Sequence, residues 1–185
     1  MNATLLHHQL AGIERLAALA AYDVDDPHLR QQLDAIAMRT ATRLHHPMAL
    51  ATLLLDNATL IVGSSGLAGW AKAGPGMPAE WSFCAQTVLS GAAYVVPDAA
   101  ADPIQRTNPM VELDGVRAYA GAPLITPTGQ VLGALCVIDT EPHKFSDGAI
   151  AELRLAADDV VTAFEQHPSR HAPGHQPTFF TQAHS

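Results

Sequence analysis

The sequence predicts an α+β fold built on an antiparallel sheet. Three observations carry that prediction. Apolar residues recur at helical spacing as far as Pro47, then at strand spacing or in continuous runs. Strands come in adjacent pairs on either side of a loop-rich middle, and helical periodicity returns only after Ser146. Helices therefore flank the strands rather than alternate with them, which argues against a parallel sheet of βαβ units.

Residues 6–22 read as one helix, because Leu6, Leu10, Ile13, Ala17 and Ala20 form a single apolar stripe. The run Asp23, Val24, Asp25, Asp26, Pro27 ends it. Asp26 is a good N-cap and Pro27 suits the first helical position, so a second helix starts there. Its stripe is Leu29, Leu33, Ile36, Ala37, Thr40 and Leu44, and it ends by His45, His46 and Pro47. Residues 48–55 and 59–63 are strands around an Asp56-Asn57 turn, a hairpin. Residues 66–81 hold four glycines and two prolines and read as a long loop. A short helix over 83–89 follows Ser82 and stops near Gly91. A strand over 94–96 ends at Pro97 and Asp98, and residues 99–113 form an irregular polar excursion. Strands over 116–125 and 130–138 are joined by Thr126, Pro127, Thr128 and Gly129, a second hairpin. Ser146 caps the last helix, whose inner face is Ile150, Leu153, Ala157, Val160 and Phe164. From Pro168 the chain turns to Pro, His, Ser, Gln and Gly, a composition that predicts disorder.

Composition narrows the function. The 185 residues are 48% hydrophobic and 15% charged, enough for one folded domain and unlike a disordered chain. Ten basic against 18 acidic side chains give a net charge of −8. That argues against a nucleic-acid partner or an anionic membrane surface, both of which need a basic face. No apolar stretch approaches the roughly 20 residues of a membrane span, and the N-terminus lacks a secretory signal. Cys84 and Cys136 form neither a disulfide framework nor a compact zinc motif, so a cytoplasmic location is expected. The ten histidines, among them His7, His8, His45, His46, His143, His167, His171, His175 and His184, sit mostly at helix ends or in polar segments. None has a metal-binding spacing, and residues 66–113 contain none at all, so no metal or haem is expected.

An ordered series of short motifs runs through the second half. Ser82-Phe83-Cys84-Ala85 is followed by Val95-Val96-Pro97-Asp98, Asp102-Pro103 and Asn108-Pro109-Met110-Val111. Then come Val116-Arg117-Ala118-Tyr119-Ala120-Gly121-Ala122-Pro123-Leu124 and Leu132-Gly133-Ala134-Leu135-Cys136-Val137-Ile138-Asp139. The series resembles the GAF domains of bacterial signalling proteins over roughly residues 14–166. The resemblance implies a central antiparallel sheet, helices on one face, and a ligand pocket on the other under a lid formed by 66–113. It divides the chain into a helical extension at 1–13, the domain at 14–166 and a flexible tail at 167–185. It also implies a free-standing sensory domain that binds an unidentified small molecule. Signalling would pass through a homodimer of the terminal helices, 6–22 and 146–166, to a separate output protein.

Departures from the family pattern limit which ligand can be carried over. Ile104 and Gln105 stand where relatives carry Arg-Phe, and Ala118 replaces an aromatic, which implies a larger or reshaped cavity. Ala85 follows Cys84 where bilin-binding relatives pair a cysteine with histidine, so bilin is disfavoured. Cyclic nucleotide is disfavoured too, because neither Lys72 nor Lys144 follows an asparagine.

The candidate ligand-binding residues are Trp81, Phe83, Cys84, Asp98, Asp102, Arg106, Asn108, Arg117 and Tyr119. Trp81 and Phe83 would supply an apolar wall. Arg117 and Tyr119 are two apart on one strand and share a face, fit to orient a polar ligand. The competing reading pairs Arg117 with Asp98 or Asp102 to tie the lid down. Cys84 near a helix start is catalytic only in an alternative reading, a thiol enzyme resembling the free methionine sulfoxide reductases. That reading needs an exposed Cys84 with a second cysteine in reach, whereas Cys136 reads as core. A third reading, a ligand-free dimerisation module, expects a collapsed pocket and an apolar helix face.

Overall fold

Asp26 caps its helix as the sequence requires: its carboxylate accepts the N–H groups of His28 at 2.7 Å and Leu29 at 3.3 Å. The helix, α3 (Pro27–Leu44), is one of six among the residues that the computed structural model describes, 3–67 and 76–169. Before it come α1 (Ala3–Leu10) and α2 (Ile13–Leu19), and after it β1 (Met48–Leu54), β2 (Ala58–Ser65) and β3 (Gly76–Pro78). A single 3-10 turn (Ala79–Trp81) leads to α4 (Cys84–Ser90), β4 (Tyr94–Val96) and a one-turn α5 (Pro109–Glu112). The hairpin of β5 (Ala118–Ile125) and β6 (Val131–Asp139) follows, and α6 (Asp147–Glu165) closes the described chain.

The strands form one antiparallel sheet in the order β3-β2-β1-β6-β5-β4. Both faces are buried, which explains the near-continuous apolar runs of β1, β5 and β6. Ala49, Ala51, Leu53, Ala120, Ala122 and Val137 face one core with α3 and α6. Leu50, Leu54, Tyr119, Ala134, Cys136 and Ile138 face a second core with α1 and α4. Alternation along each strand therefore sorts side chains between two apolar layers, not between core and water. Gly63 lets α3 lie directly on β2, because a Cβ there would stand 2.6 Å from the Leu33 Cβ. Ser146 caps α6 by accepting the Ala149 N–H at 3.1 Å, and Leu153, Ala157, Val160 and Phe164 are buried along its inner face.

The expected helix over 6–22 is broken at Gly12. α1 turns onto the other side of the sheet, where Leu6 and Leu10 are buried with Leu50 and Leu54. α2 stays with the α3 and α6 layer through Leu19. Arg15 pins the junction. Its guanidinium donates to the carbonyl of Leu10, and to that of Leu54 at 2.6 Å. Burial pulls its pKa down, and Asp56 opposes that.

Two loops hold more structure than periodicity shows. Residues 76–81 form the edge strand β3 and the 3-10 turn, while 68–75 lie outside the described residues. Within 99–113, Asn108 caps α5 by accepting the Met110 N–H at 2.9 Å, with Pro109 in the first turn. At the start of the expected tail, Asp23 N–H donates to the His167 carbonyl at 3.0 Å, and Ser169 N–H to that of Ala21 at 2.7 Å. The disorder expected beyond falls on residues 170–185, outside the described chain. Among the described residues no helix is long and apolar enough to cross a membrane.

Candidate functional site

Tyr119 lies at the centre of the sheet face opposite α3 and α6, 1% exposed. Its ring leans along β5 over Gly121, where a Cβ would come within 2.1 Å of the tyrosine oxygen. The hydroxyl lies 3.2 Å from Thr87 Oγ1 and 3.4 Å from Cys84 Sγ. Phe83 tilts against the same ring at 5.2 Å between centroids, and Tyr94 at 6.0 Å. The ligand-sensor reading expects a closed pocket of several hundred Å³ lined by Trp81, Phe83 and Tyr119; of these, Phe83 and Tyr119 pack against each other here. Ala118, next to Tyr119 on β5, is itself buried.

The two cysteines meet in this packed centre. Ser82 Oγ accepts the Cys84 N–H at 3.3 Å as α4 begins, and this aims the thiol at the sheet. Cys84 Sγ lies 3.9 Å from Cys136 Sγ on β6. Both are free thiols and both are buried. Cys84 is the acidic member. A hydrogen bond from Cys136, helped by Thr52, Tyr119 and Ser82, pulls it down to about 6 against the opposing effect of burial. Cys136 is pushed up by the same contact and by burial, and burial raises Tyr119. A second cysteine within reach is what the thiol-enzyme reading asked for. Its other requirement, an exposed Cys84, is not met: that residue is 4% exposed.

Arg117 and Tyr119 have different partners. The Arg117 guanidinium grips Asp98 Oδ1 through Nε at 3.2 Å and Nη2 at 2.9 Å. Its backbone is also tied in, the N–H to the Asp139 carbonyl at 2.8 Å and the carbonyl to the Ala99 N–H. Of the two readings of Arg117, the tie to Asp98 is the one formed. Asp102 caps a turn by accepting the N–H groups of Ile104 and Gln105 at 2.8 and 2.9 Å. Arg106 is exposed.

A cleft lies to the side. About 260 Å³ in volume, it separates the 3-10 turn and the start of α4 from residues 104–109, with Leu6 of α1 at one end. Trp81 and Asn108, both sequence candidates, line it together with Glu80, Gln86, Ile104 and Gln105. A chain of amides holds its walls. Asn108 Nδ2 donates to the Trp81 carbonyl at 3.0 Å and to Gln105 Oε1 at 2.9 Å, and Gln105 Nε2 donates to the Tyr94 hydroxyl at 3.3 Å. Glu80 meets His7 of α1 at 3.4 Å. Gln105, Gln86 and Leu6 were not among the sequence candidates. Gln105 had one signal, a polar residue where relatives carry an aromatic; Leu6 had none, since its stripe looked continuous with α2.

Comparison with known proteins agrees with this architecture. The GAF domain of a phosphoenolpyruvate-protein phosphotransferase from Coxiella burnetii superposes with a TM-score of 0.61 at 19% identity, covering 90% of this chain and 98% of that one. The type II free methionine-R-sulfoxide reductase of Thermoplasma acidophilum superposes with a TM-score of 0.63 at 14% identity, covering 79% and 98%. At those identities the likeness is one of fold. A curated relative, a cyclic di-GMP phosphodiesterase of Pseudomonas aeruginosa, is 43% identical over 93 residues. That match takes in 47% of this chain and only 15% of the relative's length. The sequence pattern of the GAF domain family matches residues 28–165, the span from the first turn of α3 to the end of α6. With sheet order, helical layer and sequence pattern in agreement, the chain belongs to the GAF domain family.

Proposed function

We propose that this GAF domain is a sensory or regulatory unit that takes a small molecule in the cleft beside Trp81, rather than over the centre of the sheet. The observation that carries the reading is the construction of the cleft. The Asn108 amide ties residues 104–109 to the Trp81 carbonyl on the other wall, Gln105 braces Asn108 from its own side, and Ile104 is 51% exposed. A ligand that competes for those amides shifts the segment, and the segment leads directly into α5 and β5. At about 260 Å³ the space is near the lower end of ligand pockets, about 300–1,000 Å³, so the occupant is of small-metabolite size. Its expected character is a polar face for Gln86, Gln105 and Asn108 and an apolar face for Leu6, Trp81 and Ile104. The relative with phosphodiesterase activity on cyclic di-GMP supports a signalling context.

Output would pass through α3 and α6, whose outer surfaces leave grooves of about 240 and 340 Å³ and expose Met38 and Leu155. The expected pairing of the terminal helices would use α2, which shares this layer, more than α1, which lies across the sheet from α6. A second reading, a dimerisation module without ligand, draws on the packing of Phe83 and Tyr94 against Tyr119. Native mass spectrometry of the purified chain, followed by thermal-shift screening of small metabolites, separates the two. The sensor reading expects a bound or stabilising metabolite whose effect is lost in Gln105→Ala. No adduct and no stabilising compound, with a dimer present, would favour the second.

A further inference from the structure

A cluster of histidines lies at the start of β1, away from the cleft. α3 ends on His45 in the left-handed conformation, with φ 57°, and this turns the chain so that His46 enters the protein. Pairing of β1 with β6 sets Met48 opposite Ile138, so His46 reaches Asp139 at the end of β6. His46 Nδ1 lies 3.2 Å from Asp139 Oδ2. The loop after β6 then returns His143 to the same place, its ring edge-on to His46 at 4.5 Å between centroids. One donor atom from each of the three residues lies within 4.8 Å of the other two, and among the described residues this is the group of that kind.

We propose that His46, Asp139 and His143 form a binding site for a zinc-class divalent cation. The donor set is two imidazoles and one carboxylate, which suits zinc and its neighbours rather than the oxygen-loving calcium or magnesium. Bonds of about 2.0–2.1 Å in a tetrahedral zinc site place donors about 3.3 Å apart. The His46 and Asp139 atoms already have that separation, and His143, exposed on its loop, is the arm that closes the remainder. Coordination through His46 Nδ1 needs the neutral ring with its single proton on Nε2, so a proton held on Nδ1 moves to Nε2 and the Asp139 carboxylate binds as the anion.

The surroundings hold the donors in place. Asp139 Oδ1 accepts the Glu141 N–H at 3.1 Å, and the His143 N–H donates to the Pro97 carbonyl at 2.9 Å. Phe145 covers both imidazoles at 5.1 Å. Three protein donors leave a fourth position for water or an exchangeable ligand. A cation here joins the start of β1, the end of β6 and the approach to α6. Sequence spacing hides the site, since two donors are 93 residues apart and no compact motif exists.

The test uses the full chain, stripped with a chelator and titrated with cobalt(II), whose four-coordinate complexes absorb in the visible. One equivalent is expected to bind, with zinc displacing it. His143→Ala, which removes an exposed ring, and Asp139→Asn are each expected to weaken binding by at least about tenfold, the loss seen even for outer partners of metal ligands. Replacing His171, His175 and His184 with asparagine is expected to leave the site intact. Circular dichroism and melting temperature check that each variant is folded. The proposal is overturned if no cobalt band forms, if the band is unchanged in His143→Ala, or if it disappears with the tail histidines.

Discussion

Gly121 shows how one missing side chain arranges the candidate site. With no Cβ at that position, the Tyr119 ring lies flat along β5 and its hydroxyl reaches Thr87 and Cys84. Gly121→Ala should displace the ring and cost about 1–3 kcal/mol, read as a lower urea midpoint at constant slope. Beside it, the Cys84 thiol has a pKa near 6 in the folded protein against an ordinary 9.0. A folded-state pKa below the unfolded value contributes stability that is complete above the unfolded value and lost as pH falls through the folded one. Wild type should therefore gain stability over Cys84→Ser between pH 6 and pH 9, with thiolate absorbance rising near pH 6 in wild type alone. If the two proteins show parallel pH profiles, the hydrogen bonds to Cys84 do not outweigh its burial. At this scale the sequence placed Cys84 at a helix start, Asp26 and Ser146 at caps, and Asp102 at a turn. It did not place Cys84 against Cys136, because a contact across 52 residues leaves no trace in local pattern.

Elements were legible wherever their signals are local. α3, α6, the two hairpins and the short α4 follow from caps, turn residues and periodicity, all of which act within a few residues. α1 and α2 were not resolved as two, because a stripe at helical spacing does not say which layer it faces. The chain leaves the helix at Ala11 and Gly12, and Arg15 holds the break by donating to carbonyls at the end of α1 and the end of β1. Arg15→Ala would leave those buried acceptors without a donor, at a cost of about 2–3 kcal/mol. Amide exchange should also become faster in α1 while α3 and α6 are unchanged. Arg15→Lys is expected to recover only part of the loss, since one ammonium cannot reproduce the planar fork. A melting temperature unchanged in Arg15→Ala would mean that Leu6 and Leu10 hold α1 without it.

At the scale of the whole molecule, a six-stranded sheet carries two apolar layers with separate uses. The layer of α3 and α6 presents the outward Met38 and Leu155. If these helices mediate self-association, Met38→Asp combined with Leu155→Asp should convert a dimer to a monomer in sedimentation, with little change in melting temperature because both residues are exposed. A wild-type monomer at all concentrations would remove the dimer from the reading. The opposite layer packs Phe83 and Tyr94 around Tyr119 and has a cleft at its edge, between Trp81 and residues 104–109.

The sequence by itself determined the fold class, the order of strands and helices, most boundaries and the family, because each depends on short-range chemistry repeated in a particular order. Tertiary structure alone decided that α1 covers the sheet face opposite α6, that Phe83, Tyr94 and Tyr119 pack together on that face, and that a cleft lies beside them. It alone joined Cys84 to Cys136, Arg117 to Asp98, and His46 to Asp139 and His143. Those pairings depend on strand register and on the layer each helix joins, and both are settled by packing between segments far apart in the chain.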